Sequence, residues 1–518
     1  MKVLVTGGTG VVGKSAVDHL LERGHTVRLL SRHAEEDSRQ WASGVEPYPG
    51  DVGNPEGLRG SADGCDAVLH VAGIVAENPP EVTFQDVNVE GTRRMVEEAA
   101  RAGAKRFVYV SSLGAERGAS AYHRSKKAAE DVVRAEAPPE WLVLRPGNVY
   151  GPGDEVISLM LKMVRTLPAV PVIGAGDHPF QPVWVEDLGE VIARAVEGEG
   201  GTGAVLDLAG TETTSMNGLL DHLEEITGKD PVRVPIPEWM ARMGTGAASA
   251  LGVDLPVNAD QITMLLEGNL IPEGEVNALT GVFGVKPTPL REGLRKLADA
   301  LPEMLPSDGV GRLHRERFWA DIRGSKLTPE EILKLVQNQF QVLSPNALLD
   351  TDAEPQTPST LEVGETLTLA VPLRGNVQVR VQEATPRAIT SVTIEGHFFA
   401  GVIRFMTEEP APGTVRFEVR AYTRAANQLD RVAIRTVGKV AQTATWSTVV
   451  QQVIERSGGE APEGVQVEDV VVSPEEAEAV ERWTEGLVMK RRREESPDAE
   501  GGSSAGKAFD TTRTRPTA

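Results

Sequence analysis

The run VTGGTGVVG at residues 5–13 constrains this chain more than any other stretch. It follows a strand pattern, KVLVT, directly, and it opens a helical pattern. Gly7 permits a tight turn, Gly10 lets the backbone approach a pyrophosphate, and Gly13 lets the helix pack close to the strand. Thr9, Val11 and Val12 complete the cradle. The helix N-terminus then offers free N–H groups and the positive end of its dipole to phosphate oxygens. A glycine motif placed between a first strand and a first helix is a specific signal for a dinucleotide site.

The next segments repeat the theme. HTVRLLS, DAVLHVA, KRFVYVSS and EWLVLRP read as strands whose near-continuous apolar runs suit burial on both faces. Helical stretches such as residues 89–104 separate them. The expected fold is therefore α/β, a Rossmann-type doubly wound parallel sheet. It occupies residues 1–305, with a substrate subdomain mostly in 151–305. Helical patterns there include GLLDHLEEITG, ADQITMLLEGN and LREGLRKLADALPEML.

A chain of 518 residues exceeds one hydrophobic core, so further domains are expected. Turn formers at 305–311 mark an edge. Residues 312–458 read as an α+β antiparallel-sheet domain. It opens with a capping box, Thr328 and Glu331 around Pro329, and continues through ETLTLAVPL, NVQVRVQ, ITSVTIEGHFFAGVIRF and TVRFEVRAYTR. Residues 459–493 form an acidic helical extension, whose KRRRE run reads as a solvated segment, and 494–518 a disordered tail.

The net charge of −22 argues against nucleic acid as a partner. A single cysteine, Cys65, excludes an intrachain disulfide and a Cys-rich metal cluster, and no histidine spacing suggests a metal. With no leader pattern and no apolar run long enough for a transmembrane segment, a cytoplasmic location is expected. The second strand ends LLSRH. Ser31 and Arg32 stand where an acid would select NAD(H), and a guanidinium suits a 2′-phosphate, so NADP(H) is favoured over NAD(H).

Together these motifs resemble the short-chain dehydrogenase/reductase superfamily in its extended or atypical branch, over roughly residues 1–300. TGGTGVVG matches its TGxxGxxG. The resemblance implies an adenine contact at Asp51 and Val52, and a loop past the ribose and phosphates at Val71, Ala72 and Gly73. It implies a helix motif beginning at Asn88, and a strand VYVSS carrying Ser111 and the catalytic Ser112. It implies a YxxxK pair at Tyr122 and Lys126, and a nicotinamide contact at Pro146, Asn148 and Val149. The style is similar to the NAD-dependent epimerase/dehydratase-like group that includes the complex I accessory subunit with a bound nucleotide. One departure is the ten-residue step from Ser112 to Tyr122, shorter than extended members usually have, which points away from a sugar-nucleotide pocket. Ser111 and Ser120 are alternative hydroxyls for the role of Ser112.

Residues i and i+4 share a helix face, so Tyr122 and Lys126 can point at one ligand. A free phenol, with a pKa of about 10, is a poor base at neutral pH, and a nearby ammonium favours its phenolate. Two readings follow. One is an NAD(P)-dependent oxidoreductase moving hydride to or from a carbonyl or alcohol, with Tyr122 as acid/base and a small-molecule substrate of lipid or quinone-like character. The other is a non-catalytic NADP(H)-binding structural or redox-sensing protein. A sugar-nucleotide epimerase/dehydratase stands behind both, and an oligomer is compatible with each. The C-terminal module resembles a helix-grip, lipid-binding-type domain on GHFFAGVIRF and VRFEVRAYTRAAN, with an apolar-ligand cavity or a packing role implied.

Overall fold

A computed structural model of the chain describes residues 1–41, 43–239, 269–344, 360–371, 375–427 and 439–495, with single residues 354, 358 and 430. The expected helix ADQITMLLEGN up to residue 268, and the expected tail beyond residue 495, lie outside the described residues. The chain divides into two compact units, Met1–Val164 with Pro168–Ala300, and Arg165–Leu167 with Leu301 onward.

The first unit is built on seven strands: β1 (Lys2–Thr6), β2 (Thr26–Ser31), β3 (Val45–Pro49), β4 (Ala67–His70), β5 (Arg106–Val110), β6 (Glu140–Pro146) and β7 (Ala204–Leu208). Their order is β7-β6-β5-β4-β1-β2-β3, and every pairing is parallel. The order reverses between β1 and β4, which opens a crevice at their carboxyl ends. Alternate residues feed two cores. Val3 and Val5 face α1 (Val11–Glu22) and α4 (Val185–Glu197) through Val17, Leu20, Leu188 and Ile192. Leu4, Val68 and Phe107 face α2 (Gly91–Ala102) and α3 (Ala121–Glu136) through Met95, Val96 and Val133. Cover on both faces is why the strands read as continuous apolar runs. The sequence pattern leaves out β3 and β7. Both are edge strands of mostly half-buried residues, and β3 carries two prolines.

Two acids that open α4 tie helices and loops together. Glu186 accepts from Ser15 Oγ at 2.9 Å, and Asp187 accepts from the backbone N–H and hydroxyl of Thr288 at 2.7 and 2.8 Å.

The second unit is a seven-stranded antiparallel sheet. Its strands are β8 (Val310–Arg323), β9 (Thr366–Val371), β10 (Gly375–Ala384), β11 (Ala388–Thr393), β12 (Phe399–Ala411), β13 (Thr414–Ala425) and β14 (Gln466–Val471), in the order β9-β10-β11-β12-β13-β8-β14. Helices α5 (Pro329–Leu343) and α6 (Lys439–Ser457) cover one face, where Phe318, Ile322, Phe405 and Val419 meet Ile332, Val336, Val449 and Val453. The capping box at Thr328 and Glu331 forms as expected, with both reciprocal hydrogen bonds. Helix α7 (Pro474–Glu495) covers the other face through Val480 and Val488, against Leu313, Val392 and Tyr422.

That face corrects one expectation. The KRRRE run is solvated at Lys490, Arg492 and Glu494, as expected, but not at Arg491. Arg491 is buried; its guanidinium donates to Gln382 Oε1 at 2.8 Å and to Glu303 Oε1 at 2.5 Å. Arg492 and Arg380 close on the same carboxylate at 2.6 and 2.9 Å. Burial pushes Glu303 up, but the three guanidiniums outweigh it and hold it at about 2. A charge run read in one dimension looks solvated because its buried counter-ion lies 188 residues away.

Candidate active site at the carboxyl edge of the parallel sheet

Register places the glycine-rich turn in the crevice. Thr6 pairs with Leu30 on one side and His70 on the other, so β1, β2 and β4 end level. Gly7 adopts φ +69°, and a Cβ there would lie 2.6 Å from Ala72 N. A Cβ on Gly13 would lie 2.0 Å from Gly7 O. Packing within the chain therefore requires both glycines. Gly10 is different, because its nearest neighbour for a Cβ is Gly7 O at 3.6 Å. Among the described residues no atom needs that space, and a phosphate oxygen approaching the backbone would. Gly10 begins α1 with no side-chain cap and no acid in the first turn, so the first N–H groups stay open to an anion. Thr9 and Gly10 are exposed, and Val11 and Val12 are half-buried. The loop after β6 comes back to this point, since a Cβ on Gly153 would touch Val11 Cγ2 at 3.6 Å. These features fit a dinucleotide pyrophosphate.

At the end of β2, the Ser31 hydroxyl is engaged by Asp37. Arg32 is exposed, and among the described residues its guanidinium has no partner. Asp51 follows β3 and accepts from Gly53 N at 2.9 Å, while Val52 is buried in the α2 and α3 core and its carbonyl accepts from Arg94. Gly50 N donates to Ser31 O at 3.0 Å, which brings Asp51 beside the end of β2.

Val71 and Ala72 continue β4 and hydrogen-bond Thr6 through its carbonyl and hydroxyl oxygens. Gly73 lies between two polar groups, where a Cβ would be 3.2 Å from Asn88 Oδ1 and 3.6 Å from Lys126 Nζ. The Asn88 amide is buried. It accepts from Ile74 N at 2.8 Å and donates to Ile74 O and Ser125 Oγ at 3.1 and 2.9 Å, which pins the 71–74 loop to α3.

Helix α3 carries the centre. Ser120 caps it by accepting from His123 N at 3.1 Å. Tyr122 is in the first turn, with the Ser112 hydroxyl as a polar neighbour of its phenol. Burial pushes Tyr122 up to about 12, with Ser112 opposing. Lys126 is buried one turn on. Its Nζ donates to Val110 O at 2.7 Å and sits 4.6 Å from the Tyr109 ring centroid. An ammonium has three donors, and among the described residues one is engaged. Burial pulls Lys126 down to about 7, with the Glu130 charge opposing. Ser111 points elsewhere, donating to Glu130 Oε1 at 2.6 Å. Pro146 ends β6. Asn148 accepts from Asn269 at 2.9 Å, and Val149 pairs with Val183.

Two residues of this centre escaped the sequence pattern. Glu130 is fully buried beneath Ser111, and Arg145 clamps it through Nε at 2.8 Å and Nη2 at 2.6 Å. The signal was present, because Glu130 stands one further turn along the face of Tyr122 and Lys126. His70 bridges Thr6 Oγ1 at 2.7 Å and Thr92 Oγ1 at 3.0 Å, and burial together with Lys126 holds it at about 3. A neutral imidazole between two hydroxyls locks the end of β4 to β1 and α2.

Residues 3–209 match the model of the NAD dependent epimerase/dehydratase family, and residues 337–457 match a domain of unknown function (DUF1990). The chain is 39% identical over 172 residues to ceramide reductase of Caulobacter vibrioides, covering 33% of this chain and 53% of that protein. It is 31% identical over 264 residues to sterol demethylase protein B of Methylococcus capsulatus, covering 46% of this chain and 78% of that protein. It is 26% identical over 286 residues to the mitochondrial NADH dehydrogenase [ubiquinone] 1 alpha subcomplex subunit 9 of Arabidopsis thaliana, covering 53% and 69%. The chain thus spans about half the length of the first of these relatives.

Proposed function

The chain belongs to the NAD dependent epimerase/dehydratase family through its first unit, and on that premise we propose that this unit is an NADP(H)-dependent reductase or dehydrogenase of a lipid-like or quinone-like carbonyl. The observation that supports the reading is the Lys126 amine beside Gly73 and Val110 O at the carboxyl edge of the sheet, one helical turn from Tyr122, whose phenol has the Ser112 hydroxyl for a neighbour. Gly7, Gly10 and Gly13 with the α1 N-terminus hold the pyrophosphate, and Asp51 and Val52 border the adenine. Arg32, exposed at the end of β2, faces the 2′-phosphate. When bound, the nicotinamide supplies or receives the hydride.

The residues of the chain handle the proton. Ser112 hydrogen-bonds the substrate oxygen and steadies its developing charge. Tyr122, protonated at neutral pH, gives its proton to that oxygen as a carbonyl becomes an alcohol. Lys126 offers its remaining donors to the nicotinamide ribose and holds the phenol in a field that favours phenolate. Relatives named for ceramide and sterol substrates support a lipid-like substrate. A second reading, a nucleotide-binding protein without turnover, is favoured by the high position of Tyr122 and by the likeness to the NADH dehydrogenase subunit.

Titration with NADPH and NADH, followed by nicotinamide fluorescence, tests the site. Tyr122→Phe then separates the readings. The enzyme reading expects unchanged NADPH affinity and a turnover loss of about 10²–10⁴-fold on a carbonyl panel. Undiminished turnover would remove Tyr122 from the chemistry. Tight binding with no turnover by the parent protein would select the second reading.

A further inference from the structure

Resting on the nucleotide site just described, we propose that Glu130 is a positioning residue for Lys126: its carboxylate holds the 110–112 strand end in place and supplies the negative charge that keeps the neighbouring amine an ammonium when nucleotide binds.

The geometry has two parts. The first is mechanical. Glu130 Oε1 accepts from Ser111 Oγ at 2.6 Å, and Ser111 lies between Val110, whose carbonyl receives Lys126, and Ser112, which meets Tyr122. One buried carboxylate thus anchors the peptide that sets both partners. It also turns Ser111 away from the crevice and leaves Ser112 there.

The second part is electrostatic. Lys126 is buried, and its surroundings offer little to hold a charge. Tyr122 lies on its own helix, Tyr109 faces it from β5, and the neutral His70 faces it from β4. Among the described residues, Glu130 is the carboxylate whose charge acts on it. Glu130 is in turn held by Arg145 from β6, with Arg134 Nη2 at 3.5 Å. Arg145 divides its charge, donating also to Glu116 at 2.6 Å and standing 3.7 Å from Asp207. Lys127 stands 3.9 Å from Glu116 at the outer side of the same cluster. Neutralising Glu130 would remove the carboxylate charge that acts on Lys126, while Arg145 would keep Glu116 and Asp207 beside it, and the loss disfavours the ammonium.

The test is NADPH affinity as a function of pH, with Glu130→Gln beside the parent protein. Gln Oε1 can still accept from Ser111 Oγ and Arg145 Nε, so the anchor of the strand end is kept while the bond from Arg145 Nη2 is lost. Nucleotide acceptors require the ammonium, so affinity weakens as pH rises above the point where Lys126 loses its proton. In the variant that point moves down by about one pH unit or more. Near pH 8 the variant binds about tenfold more weakly, and near pH 5.5 the two proteins bind alike. The 2′-phosphate titrates in both and cancels in the ratio. Ser111→Ala, which removes the anchor and keeps the charge, leaves the pH dependence where it was. If Glu130→Gln unfolds, Glu130→Gln combined with Arg145→Gln removes both buried charges and serves as the folded test, expected to move the pH dependence down in the same direction, and an unmoved pH dependence there would overturn the proposal. An equal loss of affinity at every pH, or no loss, would overturn the proposal. Failure of the parent protein to bind NADPH at all would instead overturn the nucleotide site.

Discussion

The three glycines of the first turn make different demands, and exchanging them one at a time separates fold from ligand. In Gly13→Ala the new Cβ starts 2.0 Å from Gly7 O, where ordinary contact begins at 3.4 Å. The turn or α1 must therefore move by about 1.4 Å, the difference between those distances, in a closely packed place. Overpacking of this kind costs about 1–3 kcal/mol, which lowers the melting temperature by several degrees in a unit of this size. In Gly10→Ala the nearest atom is 3.6 Å away, so the fold should lose under about 1 kcal/mol, the scale of a poorer N-cap. The methyl would nevertheless occupy the approach of a phosphate oxygen, and NADPH affinity should fall about tenfold or more, or about 1.4 kcal/mol. Thermal unfolding and NADPH fluorescence titration of the two variants read both quantities. Unchanged NADPH affinity in Gly10→Ala would refute the phosphate argument, and an unchanged melting temperature in Gly13→Ala would refute the packing argument.

Arg32→Glu should weaken NADPH about tenfold or more while leaving NADH nearly unchanged, because it reverses the charge that faces a 2′-phosphate; equal effects in a paired titration would count against Arg32. Glu303→Ala should destabilise the second unit by about 3–5 kcal/mol, since three guanidiniums lose their buried counter-ion. Denaturant unfolding followed by tryptophan fluorescence measures it. Glu303 is held at about 2, below its ordinary 4.5, so it stabilises the fold above pH 4.5, and that contribution is lost as pH falls through about 2. The parent protein should lose about 3 kcal/mol over that window, and the variant should lack that component of its acid unfolding.

What the sequence determined by itself is local. The glycine spacing at 7, 10 and 13 can be read because a turn of that shape depends on neighbouring residues, and in the structure Ala72 N crowds Gly7 and Gly7 O crowds Gly13, while Gly10 stays open. The parallel sheet can be read because strands buried on both faces must be apolar throughout. Tyr122 and Lys126 can be read because four residues make one helical turn. The charged and half-buried parts depend on partners distant in the chain. Strand β8 alternates polar and apolar residues and lies outside the strand pattern that the sequence shows, yet it pairs with both β13 and β14. The adjacent serines 111 and 112 look alike in sequence, and the tertiary fold sends one to Glu130 and the other to Tyr122. Glu130 with Arg145, and Glu303 with Arg491, look like ordinary surface charges in one dimension. Only folding brings each pair out of water, where a charge is kept by its partner or not at all.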